Sequence, residues 1–123
     1  MANKELEKWA LPILKKYQSI LLLDDHRLTF EFTKDIEAST MMHHLFQYPY
    51  KETCIQYGNS AIESWKKKEK EDLKAILIHE LCHSITDPLY DKACARYVDK
   101  NSLNDERERL TDHLANIIVK AGL

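Results

Sequence analysis

The sequence predicts an α+β domain in which a small sheet is flanked by helices, and three observations carry that reading. Between residues 3 and 21 apolar side chains recur at helical spacing. Residues 28–32 alternate apolar and polar, the period of a strand, and from about residue 60 the helical period returns and persists to the end. The 123 residues fit one domain, 1–123, with a single core rather than two. An apolar fraction of 44% with only two Gly and three Pro argues against disorder or a repeat array. A net charge of −2 builds in no attraction to nucleic acid or an anionic membrane, and no apolar run approaches the roughly 18 residues of a membrane span.

The elements follow in order. Asn3, with Glu5 and Glu7 behind it, opens a helix whose apolar stripe is Leu6, Trp9, Ala10, Ile13, Leu14, Tyr17, Ile20 and Leu21. Pro12 should kink or divide it, and Asp24-Asp25 should end it. Leu28-Thr29-Phe30-Glu31-Phe32 reads as a strand with Leu28, Phe30 and Phe32 on its buried face. Residues 39–47 and 51–57 are weaker strand candidates separated by Tyr48-Pro49-Tyr50, and the second, half charged and polar, suits a sheet edge. Gly58-Asn59-Ser60 breaks the chain, and Ser60 with Glu63 forms a capping box for a helix that either runs to Thr86 or breaks near Lys66-Lys67-Lys68. Asp87-Pro88 should stop that helix and start a short one through Tyr97. A turn at Asp99-Lys100-Asn101-Ser102 leads into the last helix, capped by Ser102 with Asp105 in its first turn.

The chemistry is concentrated in His79-Glu80-Leu81-Cys82-His83. At i, i+4 on a helix, the two imidazoles lie one turn apart on one face and can reach a single divalent cation. Glu80 falls about 100° from His79 but only about 60° from His83, so its carboxylate borders the same place. An accidental His-Glu-x-x-His would occur in roughly a few per cent of shuffled chains of this composition, so context matters. Ala75, Ile78, Leu81, Cys82 and Ile85 are read as the apolar back of this helix, behind a polar front, as a ligand helix requires.

A catalytic zinc site needs three protein ligands and an open position. The segment after His83, Ser84-Ile85-Thr86-Asp87-Pro88-Leu89, has neither a glycine turn nor a third His. Glu108 and Asp112 are again i, i+4, with Leu103, Leu110, Leu114, Ile117 and Ile118 behind them, so two helices with polar fronts can face each other across an ion. Glu106, Asp87 and Asp91 are rival carboxylates with less support around them.

Together, His79-Glu80-x-x-His83 and Glu108-x-x-Thr111-Asp112 resemble the gluzincin metallopeptidases, over residues from about 70 to 120. The chain looks most like the small single-domain members, including those of phages and prophages. The resemblance implies a zincin-like fold: a small mixed or antiparallel sheet of about three strands packed on an active-site helix, followed by a C-terminal helix carrying the third ligand. It further implies Zn²⁺ held by His79, His83 and Glu108, with Glu80 as general base and Asp112 supporting a ligating His, expected to be His79. An edge strand that pairs with a peptide substrate is also implied, and residues 51–57 are the expected place. The chain departs from larger gluzincins in lacking their extra subdomain, which supplies groups to the oxyanion.

The implied function is zinc-dependent hydrolysis of peptide bonds. In such a site zinc lowers the pKa of a water toward about 7, and Glu80 takes its proton and passes it to the leaving amine. Tyr90, Tyr97 and His113 are candidate oxyanion donors, against the plainer readings that the tyrosines pack and His113 is solvated. Cys82 lies on the apolar side as inert packing, His26 falls in a turn, and the adjacent His43 and His44 should point to opposite faces of a strand. Lys66-Lys67-Lys68-Glu69-Lys70 reads as a solvated helical face. Three cysteines, Cys54, Cys82 and Cys94, and an N-terminus without a charged-then-apolar signal lead to the expectation of a cytoplasmic protein. The alternative to an enzyme is a weak or inactive zinc-binding peptidase-like module that binds peptide or protein partners; a metal-free helical adaptor is the third class. Substrate identity and oligomeric state are not written in the sequence.

Overall fold

The computed structural model describes residues 2–47, 52–94 and 100–122, so Tyr48-Pro49-Tyr50 and Tyr97 lie outside the described residues. Four helices and a three-stranded mixed sheet follow the order α1 (Ala2–Ile20), β1 (Arg27–Phe32), β2 (Met42–Gln47), β3 (Glu52–Tyr57), α2 (Asn59–Lys66), α3 (Lys70–Cys94) and α4 (Lys100–Lys120). The α+β reading is therefore correct. No helix among the described residues is long and apolar enough to cross a membrane.

Helix α1 buries Leu6, Ala10, Leu14 and Tyr17, the i, i+4, i+8, i+11 stripe that its sequence spells out. Pro12 does not divide it. The carbonyl that Pro12 leaves without a donor is that of Lys8, and both residues are exposed, so water can satisfy it. The helix ends at Ile20, before the expected Asp24-Asp25, in a Schellman turn: Leu22 takes the left-handed conformation (φ 59°), its N–H donates to the Ser19 carbonyl, and the Leu23 N–H donates to Gln18. The same device ends α2. Lys68 (φ 62°) follows the last turn, its N–H donating to the Trp65 carbonyl and that of Glu69 to Ser64, which separates α2 from α3.

The sheet order is β1-β3-β2, with β3 parallel to β1 and antiparallel to β2. The expectation that residues 51–57 form an edge is thus wrong, because β3 is the central strand. Its polar residues mark a solvent face rather than an edge: Gln56 bonds Glu31 on one side and His43 on the other, while Thr53, Ile55 and Tyr57 are at most 1% exposed beneath. Three further expectations fail. Ser60 is not a cap, since Gly58 occupies that position without a side-chain bond and the Ser60 hydroxyl donates to the Ala38 carbonyl. Ser102 lies inside α4, which begins at Lys100. Pro88 neither stops α3 nor starts a new helix; α3 continues to Cys94, with Asp87 anchored by side-chain bonds instead of capping.

The core lies between the sheet, α1 and α3, with Tyr57 stacked on Phe30 at 4.6 Å and its hydroxyl donating to Glu7. Leu73, Leu77 and Leu81 of α3 are fully buried. Ile78 and Cys82 are buried as expected, but Ile85 is exposed, and so is Ala75, which lies one turn before His79 and lines the same cavity. On α4 the buried residues are Thr111, Ala115 and Ile118, whereas Ile117 is 52% exposed. Leu77→Ala should cost about 2–5 kcal/mol, measurable as a lower denaturation midpoint with unchanged slope in a chemical unfolding titration.

Candidate metal centre

Helices α3 and α4 are tied at a fixed register by two buried hydroxyls. The Thr111 Oγ1–H donates to the Arg107 carbonyl at 2.8 Å, leaving its oxygen to accept from Thr86 Oγ1 at 2.8 Å. Small hydroxyl residues let the helices approach closely there. This register sets His83 and His79, one and two turns before Thr86, opposite Glu108, one turn before Thr111.

His79 Nε2 lies 3.7 Å from Glu108 Oε1, and His83 Nε2 lies 3.3 Å from Glu108 Oε2. The other ring nitrogens are both engaged: His79 Nδ1 with Asp112 Oδ1 at 2.7 Å, and His83 Nδ1 with Asp87 Oδ1 at 2.9 Å. Each imidazole therefore turns its Nε2 toward Glu108, with Nδ1–H donated to a carboxylate behind it. One ligand atom each from His79, Glu80 and His83 lies within 4.8 Å of the others. The structure thus brings together His79, Glu80, His83, Glu108 and Asp112.

The fit to a metal can be judged from the donor set. Ligands about 2.0–2.1 Å from a tetrahedral zinc ion lie about 3.3–3.4 Å from one another, close to the two separations across the helix pair. Glu108 Oε2 is moreover a buried oxygen without a hydrogen bond, 3.4 Å from Arg107 Nε, which is likewise unbonded, so the carboxylate keeps a lone pair that a cation could use. Two imidazoles with their Nε2 lone pairs converging on a carboxylate suit zinc.

Charge is dense here. Burial pushes the Glu80 carboxyl up to about 8, with Glu108 and Asp87 adding to the effect and His83 and Arg107 opposing it. Burial would also raise Asp87, but hydrogen bonds from His44 and His83 outweigh it and hold Asp87 well below the usual carboxylate range. Burial opposes protonation of His83, yet the bond and charge of Asp87 prevail and raise its pKa.

Sequence reasoning missed three residues of this site. His44 of β2 inserts a ring whose side chain is 1% exposed, bonded through Nδ1 to Asp87 Oδ2 at 3.1 Å. Asp87, considered only as a helix stop or a rival ligand, instead stands behind His83. Arg107 stacks its guanidinium on the Tyr90 ring at 4.0 Å and approaches Glu108 Oε2 (3.4 Å) and Asp87 Oδ1 (3.7 Å). The i, i+4 spacing of His83 and Asp87 was visible, but no sequence spacing relates either to residue 44.

The other candidates fall elsewhere. Tyr90 supports Arg107 and faces an apolar pocket between α3 and α4, and His113 is an exposed residue of α4. Tyr97 is outside the described residues, as is the side chain of Asp91. Glu106 is exposed and paired with Arg109. His43 and His44 do point to opposite faces of β2, His43 toward Gln56. His26 accompanies the turn before β1 but also bonds Thr53 at 3.1 Å.

Two cavities meet at Met42 and Glu80. One of about 490 Å³ is lined by Met41, Met42, Ile76, His79, Glu80 and Val119 among others, and is mainly apolar. The second, about 220 Å³, is polar and is lined by His44, Glu80, His83, Asp87, Arg107 and Glu108 with part of β2. Comparison with protein-family models, with curated proteins and with solved structures yields no match to this chain.

Proposed function

We propose that this chain is a zinc-dependent peptidase of gluzincin type with a minimal zincin-like fold. The observation that carries the reading is the convergence of His79 Nε2 and His83 Nε2 on the two oxygens of Glu108, at 3.7 and 3.3 Å, beside the buried carboxylate of Glu80. The architecture is compatible with it. The motif helix lies under the sheet, and β2 is an antiparallel edge strand whose Met42 and His44 line the cavities that meet at Glu80. An extended peptide would therefore be expected along β2, not along the central strand β3.

His79, His83 and Glu108 would hold the ion. When bound, zinc supplies Lewis acidity that activates a water and polarises a substrate carbonyl. Glu80 is buried and directed to the same place, so its carboxylate would take a proton during attack and return it to the departing amine. Asp112 and Asp87 keep Nδ1 of His79 and His83 protonated, which leaves Nε2 of each ring as the donor atom. Arg107, fixed by Tyr90 at the wall of the polar cavity, is the described cation placed to meet negative charge on a substrate.

Incubation of the purified protein with unfolded casein and a mixed peptide pool tests this reading. The expected result is new peptide termini in the presence of zinc, lost with a chelator and restored by zinc. A zinc-loaded protein that leaves every substrate intact would favour a binding module instead.

A further inference from the structure

A chain of hydrogen bonds runs behind the candidate ligand His83 and links β2, β3 and α3 with the turn before β1. His26 Nδ1 meets Thr53 Oγ1 at 3.1 Å, Thr53 Oγ1 meets Ser84 Oγ at 2.9 Å, and Ser84 Oγ meets His44 Nε2 at 3.0 Å. His44 Nδ1 then meets Asp87 Oδ2 at 3.1 Å, and Asp87 Oδ1 meets His83 Nδ1 at 2.9 Å. A single directional assignment satisfies every member: His26, Thr53 and Ser84 each donate to the next group, Ser84 to the His44 Nε2 lone pair, and both His44 and His83 donate to the carboxylate. Burial, which lowers the pKa of His44, agrees with a neutral ring there.

Such a network is an expensive way to fill space between a sheet and a helix. Apolar side chains of similar volume would be at least as stabilising, and a buried polar network is tolerated only when fully satisfied. This one is complete, and it ends on a metal-ligand candidate. The carboxylate of Asp87 carries one ring on each oxygen, which fixes its plane and with it the rotation of the His83 imidazole. Without His44, Asp87 Oδ2 loses its donor, and the carboxylate can turn toward Arg107, whose Nη1 already lies 3.7 Å from Oδ1.

We infer that His44 is a positioning residue for the metal centre, acting from strand β2 through Asp87 to hold His83 in the orientation and tautomer that present Nε2 to the ion. The inference rests on the metal-centre reading above. It makes the edge strand that lines the cleft part of the support of the site.

The test is a zinc competition titration against a chromophoric chelator, with the Co²⁺ visible spectrum, on the wild-type chain, His44→Leu and His44→Asn. Asn places an amide N–H where Nδ1 stands and can still donate to Asp87. His44→Leu should weaken zinc binding about 10–100-fold and shift the Co²⁺ bands, whereas His44→Asn should recover wild-type affinity to within about threefold. A folded His44→Leu with unchanged zinc affinity and an unchanged Co²⁺ spectrum would overturn the inference. Equal weakening in both variants would also overturn it, because restoring the donor to Asp87 would then have no effect. Should His44→Leu fail to fold, Ser84→Ala replaces it: removing the donor to His44 Nε2 should shift the Co²⁺ bands, and no shift counts against the role. If the wild-type chain takes up no zinc, the metal reading itself falls and this inference with it; if only the His44 variants behave as wild type, the metal reading stands alone.

Discussion

Replacing Glu80 by Gln should leave zinc content near that of the wild type while peptide hydrolysis falls by about 10²–10⁴-fold. Gln preserves the shape of a side chain that is only 7% exposed but cannot exchange a proton. Paired measurement of metal content by elemental analysis and of turnover on a fluorogenic peptide checks it; unchanged turnover would reject Glu80 as the base. The same variant has a signature in the metal-free protein. Burial raises Glu80 from an ordinary 4.5 to about 8, so between those values the folded state holds a proton that the unfolded state has released. Stability from this group is complete below about pH 4.5 and is lost as pH rises through about 8. Glu80→Gln has no such loss, so its stability relative to wild type should grow across that window, as read by urea unfolding at several pH values with chelator present.

Glu108→Ala should abolish tight zinc binding, with affinity falling on the order of a hundredfold or more, and hydrolysis should disappear with it. Glu108 sets one carboxylate oxygen near each Nε2 atom, at 3.7 and 3.3 Å, and alanine leaves the imidazoles without that third ligand. The fold should persist, because α3 and α4 are joined separately by Thr86 and Thr111 and by the buried Ala115 and Ile118. Removing Glu108 also removes one of three crowded carboxylates, the others being Glu80 and Asp87. Glu106→Ala is the matched control: that side chain is exposed and paired with Arg109, so zinc affinity should not change. Isothermal titration of zinc into each variant distinguishes the two residues. Equal loss in both, or retention of tight binding by Glu108→Ala, would refute the assignment.

What could be read from the sequence follows the range of the interactions involved. The stripe Leu6, Ala10, Leu14 and Tyr17 and the alternation around Phe30 are local periodicities, and both elements form where those periods place them. His79, Glu80 and His83 share a helix, so their proximity needs no knowledge of the fold, and the same holds for Glu108 with Asp112. What brings Glu108 to the histidines is the Thr86–Thr111 register, a tertiary contact. Position in the sheet was not legible either. The polar residues of β3 reflect a face open to solvent, and only the pairing with both β1 and β2 reveals it as central. At Pro88 local preference favours a helix stop, whereas the bond of Asp87 to His44 is a tertiary restraint on the same turn, beside its i, i+4 bond to His83. His44 shows the limit most plainly: it lies 39 positions before His83, in an unremarkable strand, and gains its place only when β2 packs on α3.

The most direct test of the central claim is zinc-edge X-ray absorption on protein purified without a His tag and supplied with about one equivalent of zinc. Two imidazole nitrogens with one carboxylate and one further light atom at about 2.0–2.2 Å are expected, and a sulfur shell at about 2.3 Å is not, since Cys82 is fully buried in the hydrophobic core. A spectrum with zinc–sulfur scattering, or one without the two-imidazole signature, would contradict the site formed by His79, His83 and Glu108.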